Sequence, residues 1–266
     1  MMTTMTEPVR EECREESLTD FLADYAAALL ASGATCIRIE KNVKRIARRL
    51  GPVADITVLP RHVEVALWSG EEGGKADVAV RRTGHTGVNF SHNAALSRLS
   101  WDIADGRCSF AEARTRFRDI VSRPPTGKWE VLLLASAANA SFCRLFGGDA
   151  AAMAIVFIST LAGFRLKQIM LEAKADARVT VLCASFFSAA LSAGGHVFGI
   201  GATPEIALGT SVLYLVPGVP YINAVSDIID RHYLCALSRI MDASITTICL
   251  SAGLCLGMMV LGLSWF

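Results

Sequence analysis

The chain has 266 residues, of which 52% are hydrophobic and 19% charged, with a formal net charge of +1; it is poorer in charge than an ordinary soluble domain, and its near-neutrality excludes the basic footprint of a nucleic-acid binder. The charge is unevenly divided: residues 1–128 hold 19 of the 26 Lys and Arg and 17 of the 25 Asp and Glu, leaving 7 and 8 for the last 138 residues. That split implies a polar N-terminal domain followed by a part solvated by lipid.

Residues 1–16 are acidic and polar, without the apolar core of a signal peptide, and are read as a disordered tail that stays on the cytoplasmic side. A cytoplasmic α+β domain follows over 17–128. "SLTDFLADYAAALLASG" (17–33) predicts an amphipathic helix capped by Ser17 and stopped by Gly33. In 34–51, Ile39, Val43, Ile46 and Leu50 form one apolar stripe with Lys and Arg opposite, predicting a second helix. "DITVLP", "HVEVALW" and "DVAVRRTG" alternate as strands, with the glycine-rich 69–75 as a loop. Helices are expected over 89–105 and 109–122, the latter opened by Ser109 and Glu112 at capping-box spacing, and "SRPPTGK" (122–128) reads as a linker.

Residues 129–266 contain five uncharged stretches and predict five transmembrane helices, at 129–146, 149–164, 179–200, 204–226 and 242–264. The fold class is therefore a polytopic α-helical membrane protein with an N-terminal α+β domain. The first two spans make a tight hairpin: Arg144 snorkels to the interface, Gly147 and Gly148 turn the chain, and Asp149 caps the next helix. In "TPE", Thr203 is expected as a cap, Pro204 at the first helical position and Glu205 beside the positive helix end. The connections at 165–178 and 227–242 carry the basic residues Arg165, Lys167, Lys174, Arg178, Arg231 and Arg239. Placing them inside puts the N-terminus in the cytoplasm and the C-terminus outside, with Trp265 and Phe266 as an interfacial anchor.

The segment "LYLVPGVPYINA" (213–224) breaks the fourth span. Pro217 and Pro220 each lack an N–H and crowd the carbonyl one turn back, and lipid offers no substitute partner for backbone freed in this way. Discontinuous helices of this kind build transporter substrate sites, and Tyr214, Gly218, Tyr221 and Asn223 join the two prolines as candidate pathway residues. The alternative is a proline kink without a ligand. Asn139 lies midway along the first span and wants a partner inside the bundle; Ser136 and the pairs Gly195/Gly199 and Gly253/Gly257 read as helix-packing positions, and so does the lone His196. Asp149 and Glu205 flank the outer mouth; Asp227 and Asp230 flank the inner one as solvated loop residues.

No GxSxG, Walker A or HExxH motif occurs, and neither the eight cysteines nor His62, His85 and His92 have metal-ligand spacing. No metal or cofactor is expected.

"SGATCIRIEKNVKRIARRLG", "ITVLP", "FGGDAAAMAIVF" and "LVPGVPYINAVSDIIDRHYLCALSR", in that order, resemble the threonine/serine exporter family in its short bacterial inner-membrane form. The resemblance runs from about residue 17 to the end. It implies export of small amino or carboxylic acids (threonine and serine, or succinate) by a chain that works with a second, smaller, YjjB-like membrane subunit. The positions matching the family pattern are Arg38, Glu40, Gly147, Gly148, Asp149, Pro217, Gly218, Pro220, Asn223 and Asp227. Two other functions stay open: a membrane-anchored enzyme with a hydrolase-like cytoplasmic domain, for which no nucleophile–base pair is evident, and an accessory subunit that packs against a transporter.

Overall fold

A computed structural model of the chain describes residues 17–68, 75–84, 87–124 and 126–262. The tail 1–16, most of the glycine-rich loop 69–75, His85, Pro125 of the linker and the Trp265–Phe266 anchor lie outside the described residues. The chain divides into two units, Met1–Arg123 with Ile229–Cys235, and Pro124–Ile228 with Ala236–Phe266.

In the first unit, α1 (Leu18–Ala31) opens on Ser17, whose hydroxyl accepts from the Asp20 N–H at 3.1 Å. It closes at Gly33, where the Ala34 N–H reaches back to the Leu29 carbonyl at 3.1 Å. Helix α2 (Cys36–Leu50) buries Ile39, Val43 and Ile46 as its stripe predicts, whereas Leu50, at the helix end, is exposed. Strands β1 (Val53–Leu59), β2 (His62–Trp68) and β3 (Asp77–Arg82) form an antiparallel sheet in the order β1-β2-β3. Alternation puts Ile56, Val58, Val63, Val65, Leu67 and Ala79 in the core. Helices α3 (Phe90–Ala104) and α4 (Phe110–Val121) follow, the second with both bonds of the Ser109–Glu112 capping box. Tyr25 is fully buried; its hydroxyl donates to the Leu96 carbonyl at 2.7 Å.

The segment Ile229–Cys235 belongs to this unit although it lies far along the chain. Cys235 is buried in the same apolar core, its Sγ donating to the Val58 carbonyl at 3.3 Å.

The second unit is helical: α5 (Lys128–Leu145), α6 (Ala150–Glu172), α7 (Ala177–Val197), α8 (Pro204–Thr210), a 3₁₀ turn (Leu213–Leu215), α9 (Gly218–Ile229) and α10 (Tyr233–Val260). Among the described residues, three helices are long and apolar enough to cross a membrane: α6, α7 and α10. The pair Pro204–Leu215 and Gly218–Ile229, bent by 59°, makes a fourth if counted as one broken span. The expected fifth span is not among them. The 18 residues of α5 include Lys128, Glu130 and Arg144, and a helix of that length is only about 27 Å long.

Helix boundaries also differ from those expected. Helix α6 continues through Arg165 and Lys167 to Glu172, so much of the expected 165–178 connection is helical. Its end is held to the start of α5: Lys128 pairs with Glu172 at 2.8 Å, Gln168 donates to the Lys128 carbonyl at 2.9 Å, and Arg165 lies 4.9 Å from the Trp129 ring centroid. Helix α10 begins at Tyr233 rather than near 242, leaving residues 230–232 as the turn after α9. Gly253 and Gly257 face α7 so closely that a Cβ at either would press on Phe186 and Ala189, respectively. Gly195 meets Ile155 in the same way, while Gly199 meets nothing and ends α7 with a positive φ of 63°.

Candidate functional site

The break in the fourth span has a definite geometry. After α8 and the 3₁₀ turn the backbone extends at Val216, and α9 starts at Gly218, two residues before Pro220. Pro220 thus sits in the first turn of α9, where the intrahelical scheme needs no N–H. The Gly218 N–H donates to the Val216 carbonyl at 2.9 Å and the Tyr221 N–H to the Pro217 carbonyl at 3.3 Å. Gly218 itself has no atom within 4 Å of where a Cβ would stand, so the glycine is not required by packing.

Beside the break runs a band of buried polar contacts. Asn139 of α5 is buried and donates through Nδ2 to Thr160 Oγ1 of α6 at 2.7 Å and to the Thr210 carbonyl of α8 at 3.1 Å. Ser188 of α7 donates to the Ser159 carbonyl at 3.2 Å, which uses its one proton, so the Tyr214 hydroxyl 2.9 Å away is the donor in that pair. The Tyr214 ring packs on Phe164 with centroids 5.7 Å apart. A Cβ at Gly163 would overlap both the Ser188 and Tyr214 hydroxyl oxygens, so the band requires glycine at that point. One turn along α7, Ser192 is fully buried with no hydrogen-bond partner for its hydroxyl among the described residues. Ser136, by contrast, bonds only to its own helix, at the Leu132 carbonyl.

The other pathway candidates bond elsewhere. Tyr221 of α9 lies with its hydroxyl 3.1 Å from Thr247 Oγ1 of α10, and Asn223 is half-buried. Asp227, expected as a solvated mouth residue, is completely buried in α9 and pairs with the Arg239 Nε of α10 at 3.1 Å. Alanine 224 and Asp227 are the buried residues of α9; Ile222, Val225, Ile228 and Ile229 along it are exposed. A carboxylate at a fully buried position is stable as a charge only with such a partner.

At the α5–α6 turn, Gly147 adopts a φ of 90° and the Gly148 N–H bonds back to the Cys143 carbonyl at 2.9 Å, closing α5 with a left-handed cap. Arg144 donates to the Gly148 carbonyl at 3.2 Å rather than only snorkelling. Asp149 caps α6 through the Ala152 N–H at 2.7 Å, and its second oxygen accepts from the Ala202 N–H at 2.6 Å. Thr203 does not cap α8; its hydroxyl accepts from the Asp149 N–H at 2.9 Å. Glu205 is exposed in the first turn of α8, and His196 is exposed in the last turn of α7.

The Gly-Gly-Asp turn, the break and the α9–α10 pair now have their structure, and comparison with known proteins supplies the family. The family model described as "Putative threonine/serine exporter" matches residues 20–261. The chain belongs to the threonine/serine exporter family. It is similar to a protein of Klebsiella aerogenes named "Probable succinate transporter subunit YjjP", 24% identical over 95% of this chain and 97% of that relative. The protein of the same name from Escherichia coli K12 is 24% identical over 94% of this chain and 97% of its own length. No solved structure matches. The resemblance carried by the glycine turn and the Pro-Gly-x-Pro segment is thereby borne out, and family membership with three long apolar helices makes this a membrane protein.

In this exporter-family chain the Arg38 and Glu40 motif pair of α2 splits. Arg38 of α2 donates to Asn93 Oδ1 of α3 at 2.9 Å, while Glu40 pairs with Lys44 at 3.5 Å and with His232 at 3.3 Å. Sequence reasoning missed His232, Arg239, Thr160, Thr210 and Ser188. The signal for Arg239 was weak: it and Asp227 are opposite charges on either side of a short connection that carries Asp230 and Arg231 as well.

Proposed function

We propose that the chain is the larger subunit of a secondary exporter that moves small carboxylate-bearing metabolites, of the threonine/serine or succinate type, out across the bacterial cytoplasmic membrane. With α5 taken as a further span beside the four apolar segments, the N-terminus lies in the cytoplasm and the C-terminus outside, and a second small membrane subunit completes the pathway. The observation that carries this reading is the 59° bend within the fourth apolar segment together with the buried Asp227–Arg239 pair on its distal half. A guanidinium is the side chain best matched to a carboxylate. In the resting protein Asp227 faces the Arg239 guanidinium; an arriving substrate carboxylate competes for that contact, and weakening it favours the other orientation of the half-helix. The family membership, and the succinate transporter subunits among the relatives, support the substrate class.

The test is efflux of labelled succinate and threonine from cells lacking their own exporters, with the chain co-expressed with its small membrane partner. Gly218→Leu and Asn223→Ala are the informative variants. Since a Cβ at 218 meets no protein atom, Gly218→Leu is expected to reach the membrane at normal level yet fill the space beside the break and lose most efflux. Efflux at the wild-type rate in both variants removes the substrate path from the break.

A further inference from the structure

The two cavities described both lie in the first unit, and one of them is lined almost wholly by cations. Lys41, Lys44, Arg45, Arg48 and Arg49 recur along α2 at three- and four-residue spacing, so they share the side opposite the buried Ile39–Val43–Ile46 stripe. With Trp101 and Ala104 of α3 they wall a cavity of about 570 Å³, within the usual range for small-molecule sites. No carboxylate lines it.

These charges are poorly offset. Lys44 has Glu40 at 3.5 Å. Arg45 donates to Asn42 Oδ1 at 2.8 Å and Ser100 Oγ at 2.6 Å and lies 3.7 Å from the Trp101 ring centroid. Those partners fix its position but carry no charge. Lys41, Arg48 and Arg49 have no ion pair or hydrogen bond among the described residues. Like charges at i, i+3 and i, i+4 on one helix face repel, and a bound anion relieves that repulsion. A monocarboxylate offsets one charge of five. A phosphate-bearing group brings two or more charges and several acceptor oxygens, which suits a cluster of guanidinium and ammonium groups. Arg45, clamped between Asn42, Ser100 and Trp101, gives that cluster one pre-positioned member, and Trp101 remains 53% exposed at the cavity wall.

We propose that the α2–α3 groove is a binding site for a phosphate-bearing polyanion, either a soluble phosphoanion or the headgroup of an anionic phospholipid. It uses none of the residues assigned to transport, and gives the cytoplasmic unit a ligand of its own. The test uses the full chain in phosphatidylcholine nanodiscs, titrated calorimetrically with inorganic tripolyphosphate, beside the variant Lys41→Gln/Arg48→Gln/Arg49→Gln. All three positions are exposed and glutamine keeps helix propensity, so unchanged helix content by circular dichroism checks the variant's fold. For a soluble ligand, saturable binding is expected, weakened by salt and lowered about a hundredfold in the variant. For a lipid headgroup, tripolyphosphate binds weakly, but the wild-type chain retains phosphatidylglycerol through detergent extraction and the variant does not. Absence of both, with neither tripolyphosphate binding nor variant-sensitive lipid retention, overturns the proposal.

Discussion

The buried Asp227–Arg239 pair allows structure and transport to be separated by one set of variants. Asp227 is wholly inaccessible and the Arg239 side chain is 18% exposed. Asp227→Asn removes the carboxylate that the Arg239 guanidinium faces, and removing one member of a buried pair costs about 3–5 kcal/mol; the residual exposure of Arg239 places the expected loss near the lower end. Asp227→Asn/Arg239→Gln removes both charges, so no uncompensated ion remains, and the double variant is expected to recover about 2 kcal/mol relative to the sum of the single changes. Stability is read from thermal unfolding of the full chain in detergent, and transport from succinate and threonine efflux in intact cells. The expected pattern is a destabilised Asp227→Asn protein, a double variant restored in stability, and no efflux from the double variant. Equal melting of wild type and Asp227→Asn would refute the energetic argument. A double variant that exports at the wild-type rate would refute the assignment of Arg239 to the substrate carboxylate.

Gly253→Ala brings a methyl to within 2.9 Å of the Phe186 backbone nitrogen and the Ser185 Cβ. Helix α10 must move off α7, stretching the Ser185 hydroxyl bond to the Leu250 carbonyl, at a cost of about 1–3 kcal/mol; Gly209→Ala, where a Cβ meets nothing, is the control, and equal unfolding temperatures for the two count against the close packing. Glu40→Gln weakens the hold on His232, and hydrogen exchange across 229–235 is expected to rise about fivefold, as for loss of roughly 1 kcal/mol. Unchanged protection there would mean that Cys235 and its apolar neighbours hold the segment without the Glu40 contact.

The first unit was largely legible because its signals are local. Ser17, Gly33 and the Ser109–Glu112 box each act within one helical turn, and strand alternation needs only neighbouring residues. The same rules placed the interruption within 213–224, and the structure has it at 216–217. They failed where a residue had two possible employments: Thr203 fits a helix cap by position, yet its hydroxyl goes to the Asp149 N–H. For α5 hydropathy and turn residues suggested a span, and its charged ends keep it outside the helices long and apolar enough to cross a membrane.

The sequence by itself determined which stretches are apolar, where the elements of the first unit begin and stop to within a few residues, and where the fourth apolar segment is interrupted, since periodicity, caps and proline act over a few residues. Only the tertiary structure decided that Asp227 is buried against Arg239, that Asn139 is held by Thr160 and Thr210, and that Cys235 joins the core beside Val58. Burial obliges a polar group to find a partner, but the choice among distant candidates is made by how the helices pack.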